Sequence, residues 1–186
     1  MNSFYDYEEL RKIGLKSIGK NVLISKKVSI YGAEKISIGN HVRIDDFCVL
    51  SGKLNIHDYI HISAFCGLFS GDAGIELENY TTISSRCMIY AISDDYSGNA
   101  MTNPMIPERY RNVTCKEVIV RSHSIVGTSS VILPGVILAE GTAVGAMSLV
   151  NQSTQSWGIY AGIPVERIKE RSIKLLDNDF LKYKEG

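Results

Sequence analysis

Aliphatic residues recur six apart along most of the chain: Ile18, Ile24 and Ile30, then Ile38, Ile44, Leu50, Ile56, Ile62 and Leu68. After a small insertion come Leu77, Ile83 and Ile89, and the count resumes at Val120, Val126, Ile132, Leu138, Val144 and Val150. The residue that follows is often small or polar, as in "IGN", "VGT" and "VGA". A helix would repeat every 3.6 residues and a flat strand every two. A sustained period of six therefore predicts short strands joined by turns and stacked into a solenoid. If three segments close a triangular coil, the eighteen positions predict about six coils. At ~4.8 Å per coil the prism is roughly 25–30 Å long.

The period frames three regions. Residues 1–14, with "FYDYEELRKIG", read as a short helical segment. Residues 15–164 form the β domain, interrupted by a loop at 90–117. The tail, 165–186, reads as a helix behind Pro164 with Ile168, Ile173, Leu175 and Leu176 on its apolar side, a lid for the open end of the solenoid. Three cysteines then have a simple place. Cys48 and Cys66 are one coil of eighteen residues apart, and Cys87 follows after that interval plus the insertion. Each precedes a core aliphatic by two, an inward position where a small side chain fits, so they predict a buried ladder of reduced thiols.

Charge narrows the partners. Lys+Arg and Asp+Glu both number 20, which leaves no basic footprint for nucleic acid and no charge run for a membrane surface. The N-terminus lacks the apolar core of a signal peptide, and no apolar run approaches the ~20 residues of a spanning helix. The expectation is a cytoplasmic protein without membrane insertion.

The stretch "ISDDYSGNAMTNPMIPERYRN" carries no period. A long patternless insertion in a compact domain tends to be functional. Its polar residues, Asp94, Asp95, Asn103 and Arg109 with Tyr110 and Arg111, suit a polar acceptor. Among the histidines, His41, His57 and His123 read as exposed turn residues. His61 lies between inward Ile60 and Ile62, so strand alternation turns it outward onto a flat face, where it serves as a base or as an interface hydrogen bond. Val49, Met88, Val131 and Leu149 form an outward apolar stripe on a third face.

The repeats "IGNHVRI", "VGTSSVILPGVIL" and "VGAMSLV" resemble those of the hexapeptide-repeat acyltransferases. "AVGAMSLV" followed by "WGIYAGIPVERIKER" is similar to the closing signature of the sugar O-acetyltransferase group that includes galactoside and maltose acetyltransferases. The resemblance implies an all-β fold, a left-handed parallel β-helix, although the usual crossover rule is right-handed. It implies a homotrimer with intersubunit active sites and acetyl-CoA as co-substrate along the C-terminal coils. The apolar stripe then belongs to the trimer interface or to the pantetheine channel. Positions matching the family's coenzyme contacts are Thr128, Ala146, Asn151, Gln152 and Lys169. Gly127, Gly145 and Ala146 would let a pantetheine arm approach the backbone, although tight solenoid turns also favour small residues. Lys169 offers a cation to a phosphate. The family often has Thr-Lys where this chain has Asn151-Gln152, and a basic residue in place of Glu166. Many members also carry a histidine base in the interrupting loop, where this chain has Asp94-Asp95. The candidate catalytic residues are accordingly His61, Asp94 and Asp95, with Asp94 or Asp95 orienting His61.

Two acyl transfers fit these residues. The first is acetyl-CoA-dependent O-acetylation of a sugar or glycan precursor. The second is N-acetylation of a nucleotide-linked amino sugar, whose amine needs less help from a base. A His61→Ala variant that keeps nearly full activity would favour the amine. A zinc enzyme would need three converging histidines, which their spacing does not supply, so no metal is expected. A purely structural solenoid would have smooth, uninterrupted faces.

Overall fold

The computed structural model describes residues 3–182. A triangular parallel β-helix runs through them, with three columns of short strands. The first column carries Ile18, Ile38, Ile56, Leu77, Val120 and Leu138 inward, paired in parallel from coil to coil. The second carries Ile24, Ile44, Ile62, Ile83, Val126, Val144 and finally Tyr160. The third carries Ile30, Leu50, Leu68, Ile89, Ile132 and Val150. All the positions of the six-residue period are buried except Ile18 and Ile30, which pack against the core half-buried. Tyr160 and Val165 add most of a further turn, so the solenoid has about seven turns where the period predicts six.

Two insertions interrupt the six-residue count, and the columns pair on either side of them, with local register shifts at the second. A 3₁₀ turn at Ala33–Lys35 fills the gap between Ile30 and Ile38. The long strand Gly67–Leu77 absorbs the other and still pairs with Val49–Ile56 on both sides of the bend.

The corners explain the histidines better than exposure does. His41, Tyr59, Tyr80, His123 and Trp157 all have positive φ, from 54° to 62°. Left-handed backbone costs a non-glycine residue on the order of 1 kcal/mol. Here the rings form one continuous stack, with centroids 4.5 Å apart for His41–Tyr59, 5.2 Å for Tyr59–Tyr80, 5.0 Å for Tyr80–His123 and 6.2 Å for His123–Trp157. Such contacts offset part of the backbone cost. His41 and His123 are thus stacked corner residues rather than free turn residues. Burial in the stack lowers the pKa of His123.

The ends differ from each other. Tyr7–Lys12 is an α-helix with a capping box between Asp6 and Glu9, and Leu10 is its buried residue. The tail is not the expected helix. Glu166–Glu170 is a strand antiparallel to Gly158–Ala161, and two 3₁₀ turns follow at Lys174–Asp177 and Asp179–Lys182. The last coil leaves a row of unpaired backbone groups, and satisfying them outweighs the helical pattern of the side chains. The final part of the expected helix, 183–186, lies outside the described residues.

Candidate active site

The excursion begins at the corner after Tyr90. Ile92–Ser93 pairs antiparallel with Thr114–Cys115, which ties its two ends together. Farther out, Met101 N donates to Tyr110 O at 3.0 Å and Arg111 N to Glu108 O at 2.9 Å. Between this arm and the third face opens a cleft of 770 Å³. Phe69 and Tyr90, stacked with centroids 5.2 Å apart, line it together with Val131 and Leu133, while the excursion contributes Asp94 and Arg111. Phe69 and Tyr90 occupy equivalent repeat positions, paired in register, each directly after a core aliphatic. Aligning the coils by eye would have found them.

The two aspartates of the loop have different work. Asp95 accepts from Ser97 N at 2.8 Å, Ser97 Oγ at 2.9 Å and Ala100 N at 3.0 Å. The Ser97 hydroxyl, followed by the backbone donors, holds its carboxyl below the ordinary value. Asp95 is a knot in the turn. Asp94 lines the cleft, and the one hydrogen bond of its carboxylate among the described residues is a long 3.4 Å contact from Asn103 N.

The other candidate acceptor contacts are elsewhere. Asn103 is an exposed turn residue with φ of 76°, its side chain accepting from Met105 N at 3.0 Å. The Arg109 guanidinium lies over the Tyr110 ring, 4.8 Å from its centroid. Arg111 is the arginine lining the cleft, and nothing in the period singles it out from its neighbours.

His61 is on the second face, as strand alternation predicts, aligned with Arg43 and Thr82. Its partner is not Asp94 or Asp95. Nε2 lies 2.8 Å from Asp45 Oδ2, and Arg43 Nε donates to Asp45 Oδ1 at 2.7 Å. Burial opposes ionisation of Asp45, but the hydrogen bonds from His61 and Arg43 outweigh it and keep the carboxyl below its usual range. His57 faces Glu76 at 2.9 Å.

At the C-terminal coils, the matched coenzyme positions divide. Thr128 Oγ1 donates to Ser85 O at 2.6 Å, and Gln152 Nε2 to Val165 O at 3.3 Å, so both side chains also serve the fold. Gly127 has a packing reason of its own, because a Cβ there would stand 2.5 Å from Ala146 N. Asn151 is exposed, as is Lys169 on the terminal strand opposite Ile159. Two cations near it are occupied. Arg167 pairs with Glu170 at 2.7 Å, and Arg171 Nη1 donates to His123 O at 2.7 Å and Gly141 O at 2.9 Å. The cysteine ladder forms, with Cys48, Cys66 and Cys87 buried and each thiol 3.1 Å from a backbone carbonyl.

No family model matches the chain. It is 46% identical over 178 residues to the dTDP-4-amino-4,6-dideoxy-D-glucose acyltransferase of Escherichia coli, a match covering 94% of this chain and 92% of the relative. Among solved structures it matches AntD, an N-acyltransferase from Bacillus cereus in complex with dTDP and 3-hydroxybutyryl-CoA, with 55% identity, a TM-score of 0.95 and 98% of each chain covered. A hexapeptide-repeat acetyltransferase from Vibrio cholerae shares the fold, with 19% identity and a TM-score of 0.59 over 92% of this chain and 84% of that one. These relatives correct the expectation of O-acetyl transfer: AntD is an N-acyltransferase, and the E. coli relative is named for a 4-amino sugar nucleotide.

Proposed function

The chain belongs to the hexapeptide-repeat sugar acyltransferases, and from that premise we propose that it moves an acyl group from coenzyme A to the amine of a dTDP-linked 4-amino-4,6-dideoxy sugar. The active unit is a homotrimer, with the C-terminal coils of one subunit presenting the thioester to the acceptor cleft of the next. The 46% identity to the E. coli enzyme, over nearly the full length of both chains, carries this reading. The dTDP and acyl-CoA bound to AntD support it.

Asp94 is the base. The amine nitrogen attacks the thioester carbonyl, a C–N bond forms, the C–S bond breaks, and coenzyme A leaves as the thiol. Once the nitrogen has attacked it is positively charged and strongly acidic, so an ordinary carboxylate suffices to take its proton. A hydroxyl nucleophile would need a stronger base. A loop with Asp94 and no histidine therefore agrees with an amine acceptor. Thr128, Ala146, Asn151, Gln152 and Lys169 remain the proposed coenzyme contacts.

Thiol release from acetyl-CoA and 3-hydroxybutyryl-CoA should occur with dTDP-4-amino-4,6-dideoxyglucose and not with its 4-hydroxy counterpart. Equal turnover of the hydroxyl sugar would overturn the proposal. Asp94→Asn should lower kcat/KM by about 10²–10⁴-fold while dTDP binding persists.

A further inference from the structure

We propose that Arg111 is the anion-binding residue of the acceptor cleft and holds the diphosphate of the nucleotide-linked amino sugar; the inference rests on the acceptor reading above. Other arginines of the fold show what a satisfied guanidinium looks like here. Arg43 pairs with Asp45, Arg121 with Glu78, and Arg167 with Glu170, while Arg171 reaches two carbonyls. Arg111 has no such partner among the described residues. Its Nε is shielded from solvent and makes no hydrogen bond. A buried donor without an acceptor is costly, and native proteins rarely keep one without a use.

The position supplies the use. Arg111 is held by the backbone of the excursion, through Arg111 N to Glu108 O and the bridge to Met101, which fixes it on the arm beside the cleft. Apolar side chains, Phe69, Tyr90, Val131 and Leu133, line the same cleft and weaken the screening of a charge placed there. A guanidinium offers a planar fork that matches two phosphate oxygens at once. Asp94 brings the opposite charge to the same cleft. An amino-sugar nucleotide is negative at its diphosphate and arrives positive at its protonated amine, so the pair Arg111 and Asp94 matches both charges of one ligand, and the ammonium gives one proton to solvent before the free amine attacks. Anchoring the diphosphate at Arg111 directs the amine toward Asp94.

Calorimetric titration of the full chain with dTDP and with thymidine tests this in the wild type, Arg111→Gln and Arg111→Lys. Arg111→Gln should weaken dTDP binding by about 30-fold or more, raise KM for the amino-sugar nucleotide to match, and leave kcat within about threefold. Arg111→Lys should recover part of the affinity. Thymidine, which lacks phosphate, should bind both variants as it binds the wild type. Without ligand, Arg111→Gln should melt no lower than the wild type, because it removes an unsatisfied donor. If Arg111→Gln binds dTDP within threefold of a wild type that turns over the amino sugar, the inference fails alone. A wild type that neither binds dTDP nor acylates the amino sugar overturns the acceptor reading, and this inference with it.

Discussion

The coils and the excursion use polar side chains in opposite ways. In the coils several of them close turns. Ser130 and Ser148 donate to Gly145 O at 3.0 and 2.8 Å, Thr142 donates to Ala139 O at 2.7 Å, and Asp58 accepts from Asn40 N at 2.6 Å. In the excursion Asp95 does the same kind of work, but Asp94 and Arg111 are left over beside a cleft. Those two unspent charges are the ones that we propose for chemistry.

That contrast can be broken from either side. Leu68→Ala should show the largest effect on the fold, about 2–5 kcal/mol of stability by denaturant unfolding, because Leu68 is fully buried in a column that stacks on both neighbours. Activity per folded molecule should change little. Asp95→Ala should loosen the arm and raise KM for the acceptor several-fold, with kcat less affected. The carboxyl of Asp95 is depressed below 3.8, so its hold on the arm is complete above that pH and is lost as pH falls through the folded-state value. Amide shifts of Ser97 and Ala100 should accordingly stay constant from pH 7 to about 4.5 and move only under more acid conditions. His61→Ala should have the smallest effect, kcat/KM within about threefold in the thiol-release assay, since His61 is bound to Asp45 on another face. A loss beyond tenfold would return His61 to the acceptor site.

What the sequence could reveal depended on period. The columns, the cysteine ladder, the outward orientation of His61 and the apolar stripe of Val49, Met88, Val131 and Leu149 all follow from counting by six. The choice between Asp94 and Asp95 does not, because two adjacent carboxylates are equivalent until a turn recruits one of them. Arg109 and Arg111 are likewise distinguished only when Tyr110 claims the first. The tail misled for a related reason. Ile168, Ile173, Leu175 and Leu176 have helical spacing, but Ile168 and Ile173 are 60% and 57% exposed, and the backbone of 166–170 is drawn to an open sheet edge. The sequence left hydroxyl and amine acceptors both open, and it is the relatives that favour the amine, since one fold serves many acceptors through its loops.

A parallel β-helix is a ladder whose rungs are all alike, and nothing in the repeat itself says where it should stop. Each of its three C-terminal edges is closed by a different device. Ser153 Oγ and Thr154 Oγ1 accept from Ile137 N and Ala139 N on one edge. Val165 N and Gly162 O bond to Leu149 on the second, and the charged strand Glu166–Glu170 covers the third. The molecule is therefore a polymer with a built-in terminator. A chain shortened before Glu166 would expose a ready template to the N-terminal coil of the next molecule, and its hazard would be end-to-end filaments rather than simple unfolding.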